Sequence, residues 1–225
     1  MTSTPTPNHT LAQSITRAVL LSAAAGYVEV IGYLDFNGRY PGIMTGNTVQ
    51  FGYAAISRDW AAAAAFGVVL ALFFAGCLCG GIARRVLSAP RYLLLGIAAV
   101  VAVADLLRAN AALHLPGELP LLALAMAMQG ETMARFGGQS IQTIVVTTNI
   151  VKCADALVAA ASAARRRSGA SRDALRTAAL PGCAWLGYSG GVIAGAIARN
   201  AVTHPLLVAA FMFVCVALGY WRDDF

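Results

Sequence analysis

Residues 25–49 read AGYVEVIGYLDFNGRYPGIMTGNTV. An apolar segment carrying one glutamate, Glu29, runs into a loop rich in Asn, Gly and Pro. Met44-Thr45-Gly46-Asn47 then opens a second apolar stretch. Residues 128–151, MQGETMARFGGQSIQTIVVTTNIV, repeat this frame: Glu29 aligns with Glu131, Thr45 with Thr147 and Asn47 with Asn149, each 102 positions apart. Further on, Gly76–Arg84 (GCLCGGIAR) matches Gly191–Arg199 (GVIAGAIAR), and the arginine-rich segment Arg165–Arg176 accounts for the larger offset. Chance similarity between Ala- and Gly-rich helices would explain the glycines. It does not readily explain two Glu-x15-Thr-x-Asn frames in the same order.

Composition places these stretches in a membrane. The chain has 225 residues, of which 59% are hydrophobic and 12% charged. A soluble domain carries about 25% charged residues, so too little charge is present to cover a water-facing surface. The mean hydropathy is +0.69. The net charge of +6 does not point to nucleic acid, because the arginines fall between apolar segments and form no basic face with interleaved aromatics. The five cysteines all sit within apolar stretches and read as packing residues; Cys77 and Cys79, two apart, point to different helix faces. The polar tail 1–16 has no basic start and is expected not to be a signal peptide.

Six full spans are expected: Arg17–Phe36, Ala61–Ala83, Tyr92–Leu113, Pro120–Met133, Ala178–Ala198 and Pro205–Trp221, with Tyr220 and Trp221 as an interfacial anchor. Ile43–Ile56 is short for a span, and Thr143–Ala163 is interrupted by Lys152 and Asp155. If both cross fully, Arg84, Arg85 and Arg91 lie opposite Arg165–Arg167. If both are re-entrant, Arg17, Arg84–Arg91, Arg165–Arg176 and Arg222 share one side. The positive-inside rule favours the second arrangement, with both termini cytoplasmic. The expected fold is therefore an all-α integral membrane protein of six transmembrane helices plus two short re-entrant helices. Repeat 1 covers 17–113 and repeat 2 covers 114–225, with a cytoplasmic basic loop at 164–177. Three spans per repeat invert the second relative to the first, an architecture common among transporters.

The run GYVEVIGYLDFNGRYPGIMTGNTVQFG and the later AMAMQGETMARFGGQSIQTIVVTT resemble the YoaK family of bacterial inner-membrane proteins. The resemblance extends over nearly the whole chain and implies about six spans in the inner membrane. It brings no reaction and no substrate. Glu29 stands where that family usually has Asp, Glu131 where it often has Asn, and Thr147-Thr148-Asn149 replaces a Thr-Gly pair.

The candidate solute- or ion-binding residues are Glu29, Thr45, Gly46, Asn47, Gln129, Glu131, Thr147, Thr148, Asn149, Lys152 and Asp155. Glu29 lies roughly 18 Å into its span, near the middle of a ~30 Å core. A carboxylate there costs at least ~2.5 kcal/mol unless it meets a partner or water. The repeat is expected to bring Glu29 and Glu131 together, where both cannot ionise cheaply; such a pair could carry a proton or a cation. The alternative is that each caps neighbouring backbone. Thr45 or Asn47 is expected to N-cap a short helix whose free N–H groups face inward, with or without a ligand. Lys152–Asp155 and Asp105–Arg108, each three apart, are expected to pair. Gly76/Gly80 and Gly187/Gly191/Gly195 are helix-packing faces that could also join copies of the chain. The three histidines suggest no metal site, and no phosphate loop, nucleophile elbow or zinc-protease motif occurs. No cofactor, catalytic residue or nucleic-acid partner is expected; membrane lipids and a small solute are.

Passage of a small solute across the bacterial inner membrane, coupled to protons or cations through the glutamates, is the expected function. A non-transporting scaffold, or a lipid- or partner-binding membrane protein, is the alternative.

Overall fold

The computed structural model describes residues 11–110, 112–132, 141–166 and 170–221. Residues 1–10 of the polar tail and Arg167–Gly169 of the basic loop lie outside the described residues. The order is α1 (Leu11–Asp35), α2 (Met44–Ile56), α3 (Trp60–Val86), α4 (Pro90–Arg108), a single wide turn (His114–Glu118), α5 (Leu119–Thr132), α6 (Val146–Arg165), α7 (Ala170–Ala201) and α8 (Leu206–Trp221). No strand occurs among the described residues.

Four helices are long and apolar enough to cross a membrane: α1, α3, α4 and the Asp173–Ala201 part of α7. By length and composition the chain is a multi-pass membrane protein. The outward faces agree, for Phe74, Leu78 and Ile82 of α3 and Ile193 and Ile197 of α7 are large, apolar and exposed. The remaining expected spans are shorter: α5 has 14 described residues and α8 has 16. The expected third span stops at Arg108 rather than Leu113, because Arg108 turns back onto α1 and the wide turn. Helix α7 begins at Ala170, inside the expected basic loop, and continues through Pro181.

Local chemistry sets several ends. The Asp59 carboxylate accepts the Ala62 N–H at 3.0 Å and caps α3, while Arg84 and Arg85 complement the negative end of its dipole. Pro90 opens α4 after an extended Ala89, as its fixed φ and missing N–H allow.

Packing relies on small residues. A Cβ on Gly191 of α7 would lie 2.1 Å from the Ala23 carbonyl oxygen of α1, and one on Gly26 of α1 would lie 2.2 Å from the Tyr188 carbonyl oxygen of α7. Gly187 and Gly195 seat the backbone at Val19 and Tyr27 in the same way. On α3, Gly76 and Gly80 lie against Leu124, Ala127 and Met128 of α5. Both glycine faces thus pack against the chain's own helices. Beyond these seams, α2 packs on α3, α6 on α7, α4 on α8 and α5, α1 on α8 and, more lightly, on α5.

The loop before α2 folds back along α1. Pro41 occupies the space that a Gly32 side chain would fill, and Gly42 lies against Glu29 and Met126. Glu29 is six residues before the end of α1, so α2 begins roughly 9 Å back along that helix. Before α6, Ile144 packs on Gly130 of α5.

Candidate functional site

A cavity of about 750 Å³ lies between the starts of α2 and α6. Gly42–Thr45 forms one wall and Ile144–Thr147 another; Phe73 of α3 and Tyr188, Ser189, Val192 and Ile193 of α7 complete it. No charged side chain is among these lining residues.

Both helix starts are uncapped by side chains. Ile43 is the N-cap of α2 and Val145 that of α6, and neither position provides a capping bond. This corrects the expectation that Thr45 or Asn47 caps α2. Asn47 is buried and instead grips the returning loop: its Oδ1 accepts from the Tyr40 N–H at 3.0 Å, and its Nδ2 donates to the Tyr40 carbonyl at 2.7 Å. Asn149 does the same work in the second half, donating to the Gln142 carbonyl at 2.9 Å. In both halves the contact spans seven residues. The asparagines hold backbone, and the threonines beside them, Thr45 and Thr147, reach the cavity wall. Gly46 faces the Tyr40 ring, where a Cβ would stand 3.0 Å from Cε2. Thr148 occupies the first turn of α6 and is not among the lining residues.

Glu29 is 3% exposed. Its carboxyl lies against the backbone of Gly42 and Ile43. Neither oxygen forms a hydrogen bond of full geometry. A Cβ on Gly42 would stand 2.3 Å from Oε1, so the carboxyl fills the space that any other residue at 42 would need.

Glu131 occupies a different environment. Its carboxylate lies 3.6 Å from Arg84 Nη2, with 34% of the side chain exposed, and its carbonyl accepts from Arg84 Nη1 at 3.2 Å. The two glutamates meet different partners. Glu29 reaches Gly42, which lies on Met126, and Glu131 is five residues, about 7.5 Å of rise, further along α5. Gln129 is fully buried and donates to the Leu21 carbonyl at 2.8 Å and to Thr143 Oγ1 at 3.2 Å, tying α5 to α1 and to the loop before α6. Lys152 and Asp155 lie further along α6, outside the cavity lining, and Asp155 is exposed.

A second polar cluster was not anticipated. Asp35, the last residue of α1, pairs with Arg108 of α4 and lies 2.7 Å from Arg199 Nε of α7. Arg108 is also 3.3 Å from Glu118, whose other oxygen lies 2.6 Å from His114 Nδ1. The expected Asp105–Arg108 pair is therefore corrected. Arg108 turns to Asp35 and Glu118, while Asp105 accepts the Leu206 N–H at 2.9 Å and meets His204 at 2.6 Å, thereby capping α8. Neighbours from other helices offered better geometry than an i,i+3 partner. Asp35, His114 and Glu118 gather their ligand atoms within 4.8 Å of one another, but two guanidiniums already stand on these carboxylates and oppose a cation. Asp35 carries no distinct signal in the sequence, since a carboxylate at a helix end is unremarkable and its partners come from α4 and α7.

The family described as "Protein of unknown function (DUF1275)" matches residues 17–219. The chain belongs to the DUF1275 family. No curated protein and no solved structure matches it. The matched segment contains every helix of the cavity wall, so the cavity is built within the DUF1275 unit itself.

Proposed function

We propose that this DUF1275 protein passes a small solute across the bacterial inner membrane through the cavity between α2 and α6. The observation that carries the reading is the convergence on one cavity of two helix starts without side-chain caps. Broken helices meeting near the middle of a bundle are how inverted-repeat transporters form their sites. Irregular backbone at membrane depth is tolerated where protein or a cavity satisfies it.

The six-span, inverted-repeat reading belongs to this proposal. Exchanging α1 with α5, α2 with α6, α3 with α7 and α4 with α8 maps every helix pair in contact onto another, except the light α3–α4 contact. The glycine seams exchange in the same way. With α1, α3, α4, α5, α7 and α8 as spans, both termini and the Arg84–Arg91 and Arg165–Arg176 clusters are cytoplasmic. Arg17, bonded to the Gly219 carbonyl at 3.0 Å, then marks the inner end and Asp35–Arg108–Arg199 the outer end. The inner-membrane location and the kinship with YoaK proteins rest on the M-T-G-N segment, Met44–Asn47. Glu29 is the group through which a proton or cation would couple. No general base lines the cavity beside Thr45, Thr147 or Ser189, so the reading is one of passage rather than of reaction.

The test is access. Single cysteines at Thr45 and Thr147, in a chain with its own cysteines replaced, should react with a small charged thiol reagent from both sides of the membrane. Labelling from neither side would favour a dry, non-transporting scaffold. A cysteine at Ser168 should resist labelling from outside while one at Asn37 reacts; the reverse pattern would remove the six-span topology.

A further inference from the structure

Glu29 departs from the rule that a buried polar group has a partner. Its side chain is 3% exposed, and neither carboxyl oxygen makes a hydrogen bond of full geometry. It belongs to α1, one of the helices long and apolar enough to cross a membrane. No cation answers it. Arg84 holds Glu131, but Arg199, the counterpart of Arg84, is taken by Asp35 at 2.7 Å. Among the described residues, the groups gathered on the Glu29 carboxyl are the Gly42 and Ile43 backbone, with Met126 of α5 beside the same glycine. The hydroxyls of Tyr40 and of Tyr188 on α7 feel it electrostatically, and neither is charged at neutral pH. An ionised carboxylate in this seat would have no cation, no sound hydrogen bond and no water. Burial makes that state too costly to keep, and a carboxyl so placed takes up a proton instead.

We infer that Glu29 is a proton-binding site and that the loop residues Gly42 and Ile43 form a latch between it and the cavity. The inference rests on the passage proposed above, and it names the coupling ion as the proton. Gly42 and Ile43 line the cavity and also lie against the carboxyl. A Cβ at position 42 would stand 2.3 Å from Oε1, so only glycine lets the latch close on the carboxyl. With the latch closed, the carboxyl is sealed from the cavity and keeps its proton. When the loop moves off, the carboxyl meets water. The proton then passes to a water molecule, and the O–H electron pair stays on the carboxylate. The charged carboxylate opposes reclosure, because the closed seat offers it no counterion. Proton binding and loop position are thereby linked, which is what a coupling site requires. A metal cation fits the seat poorly. Hard cations gather about six oxygen ligands, and this seat supplies one carboxyl. Asn47, at the start of α2, spends its Oδ1 and Nδ2 on Tyr40.

The test uses the full-length protein in nanodiscs and dicyclohexylcarbodiimide, an apolar reagent that modifies a carboxyl only while it carries a proton. At neutral pH, peptide mass spectrometry should find Glu29 modified and the exposed Asp155 unmodified. At alkaline pH the modification should fall by about tenfold for each pH unit. Sodium or potassium chloride in place of choline chloride should give no protection. The infrared band of a protonated carboxyl should be present at neutral pH and lost in Glu29→Gln, which keeps the shape of the side chain. This band decides even where the carbodiimide fails to reach the seat. For the latch, a cysteine at Thr45 is labelled in the otherwise unmodified chain and in Glu29→Gln. The ratio of the two rates should rise several-fold from neutral to alkaline pH, since only the first chain can ionise at position 29. Protection by sodium or potassium would assign a metal cation and overturn the inference, as would an infrared band that Glu29→Gln leaves unchanged. A rate ratio that does not vary with pH would remove the latch. Two-sided labelling of Thr45 and Thr147 without a proton on Glu29 would remove the coupling ion and keep passage. A proton on Glu29 without two-sided labelling would do the reverse.

Discussion

The starts of α2 and α6 share one sequence frame and one cavity, yet their glutamates have separate fates. Glu29 stays buried behind Gly42, whereas Glu131 turns to Arg84 and is partly exposed. The matched segments Gly76–Arg84 and Gly191–Arg199 explain the difference. Arg199 is the counterpart of Arg84, but Asp35 at the end of α1 holds it at 2.7 Å. The position that corresponds to Asp35 in the second half is Gly137, which offers no carboxylate, so Arg84 takes Glu131. One aspartate in one half therefore leaves one glutamate without a cation. A repeated frame fixes backbone, as the paired Asn47 and Asn149 contacts illustrate. The charge of each copy is fixed by what the crossing helix can reach.

The largest effect should come from breaking the pairing that sets the halves apart. Arg108→Ala removes the partner shared by Asp35 and Glu118, two carboxylates whose side chains are 3% and 0% exposed. Removing one member of a buried ion network costs about 3–5 kcal/mol, because the remaining charges stay buried. The expected outcome is loss of the monodisperse folded protein after detergent extraction, seen by size-exclusion chromatography. A thermal midpoint near that of the unmodified protein would mean that the network is wet, and would dissolve the contrast with Arg84.

The two glycine seams sharpen the comparison next. At Gly191 an added Cβ meets the Ala23 carbonyl oxygen at 2.1 Å, whereas at Gly76 the nearest atom is the Ala127 side-chain methyl at 2.6 Å. Backbone cannot yield as a side chain can. Gly191→Ala should therefore lower stability by about 3 kcal/mol, at the upper end of overpacking costs, and Gly76→Ala by about 1–2 kcal/mol. Thermal midpoints in one detergent compare the two directly. Equal losses would show that both seams are equally tight.

Much of the fold was legible because membrane depth leaves few options. The long apolar runs and the arginines at their ends could be read from hydropathy and charge alone, and α2 and α6 begin within three residues of their expected starts; α6, expected to be short, has 20 residues and is longer than α5 and α8. The Thr-x-Asn frame lies beside the cavity, with Thr45 and Thr147 in its wall. Its asparagines were given the wrong task, because a side chain that bonds backbone seven residues upstream leaves no local pattern. Phe73, Tyr188 and Val192 were missed since an apolar cavity wall and an apolar helix face have the same composition. The Asp35 network was missed because its members come from α1, α4, α7 and the wide turn, and only their meeting gives it meaning.

A smaller effect tests how closely Glu29 is tied to the start of α2. Gly42→Ala would place a methyl where Oε1 now lies, at 2.3 Å. It should cost about 1–3 kcal/mol as an overpacking change. Glu29→Ala frees that space, so the double variant should recover part of the loss, with a coupling of about 0.5–3 kcal/mol in a thermal-unfolding cycle. Strict additivity would mean that the carboxyl moves aside without cost and that Gly42 is kept for another contact.

The smallest effect belongs to the second half. Arg84 and Glu131 are 51% and 34% exposed and their closest charged atoms are 3.6 Å apart, a pair in the class of surface salt bridges that contribute ~0.2–1 kcal/mol. Arg84→Ala should shift the thermal midpoint only slightly, and less in high salt, since exposed pairs are screened. Glu131→Gln should give a loss of the same size, and the double variant should lose little more than either single one, because both remove the same contact. A loss of several kcal/mol on Arg84→Ala would place this pair in the class of the buried Asp35–Arg108 network and would end the contrast between the two halves.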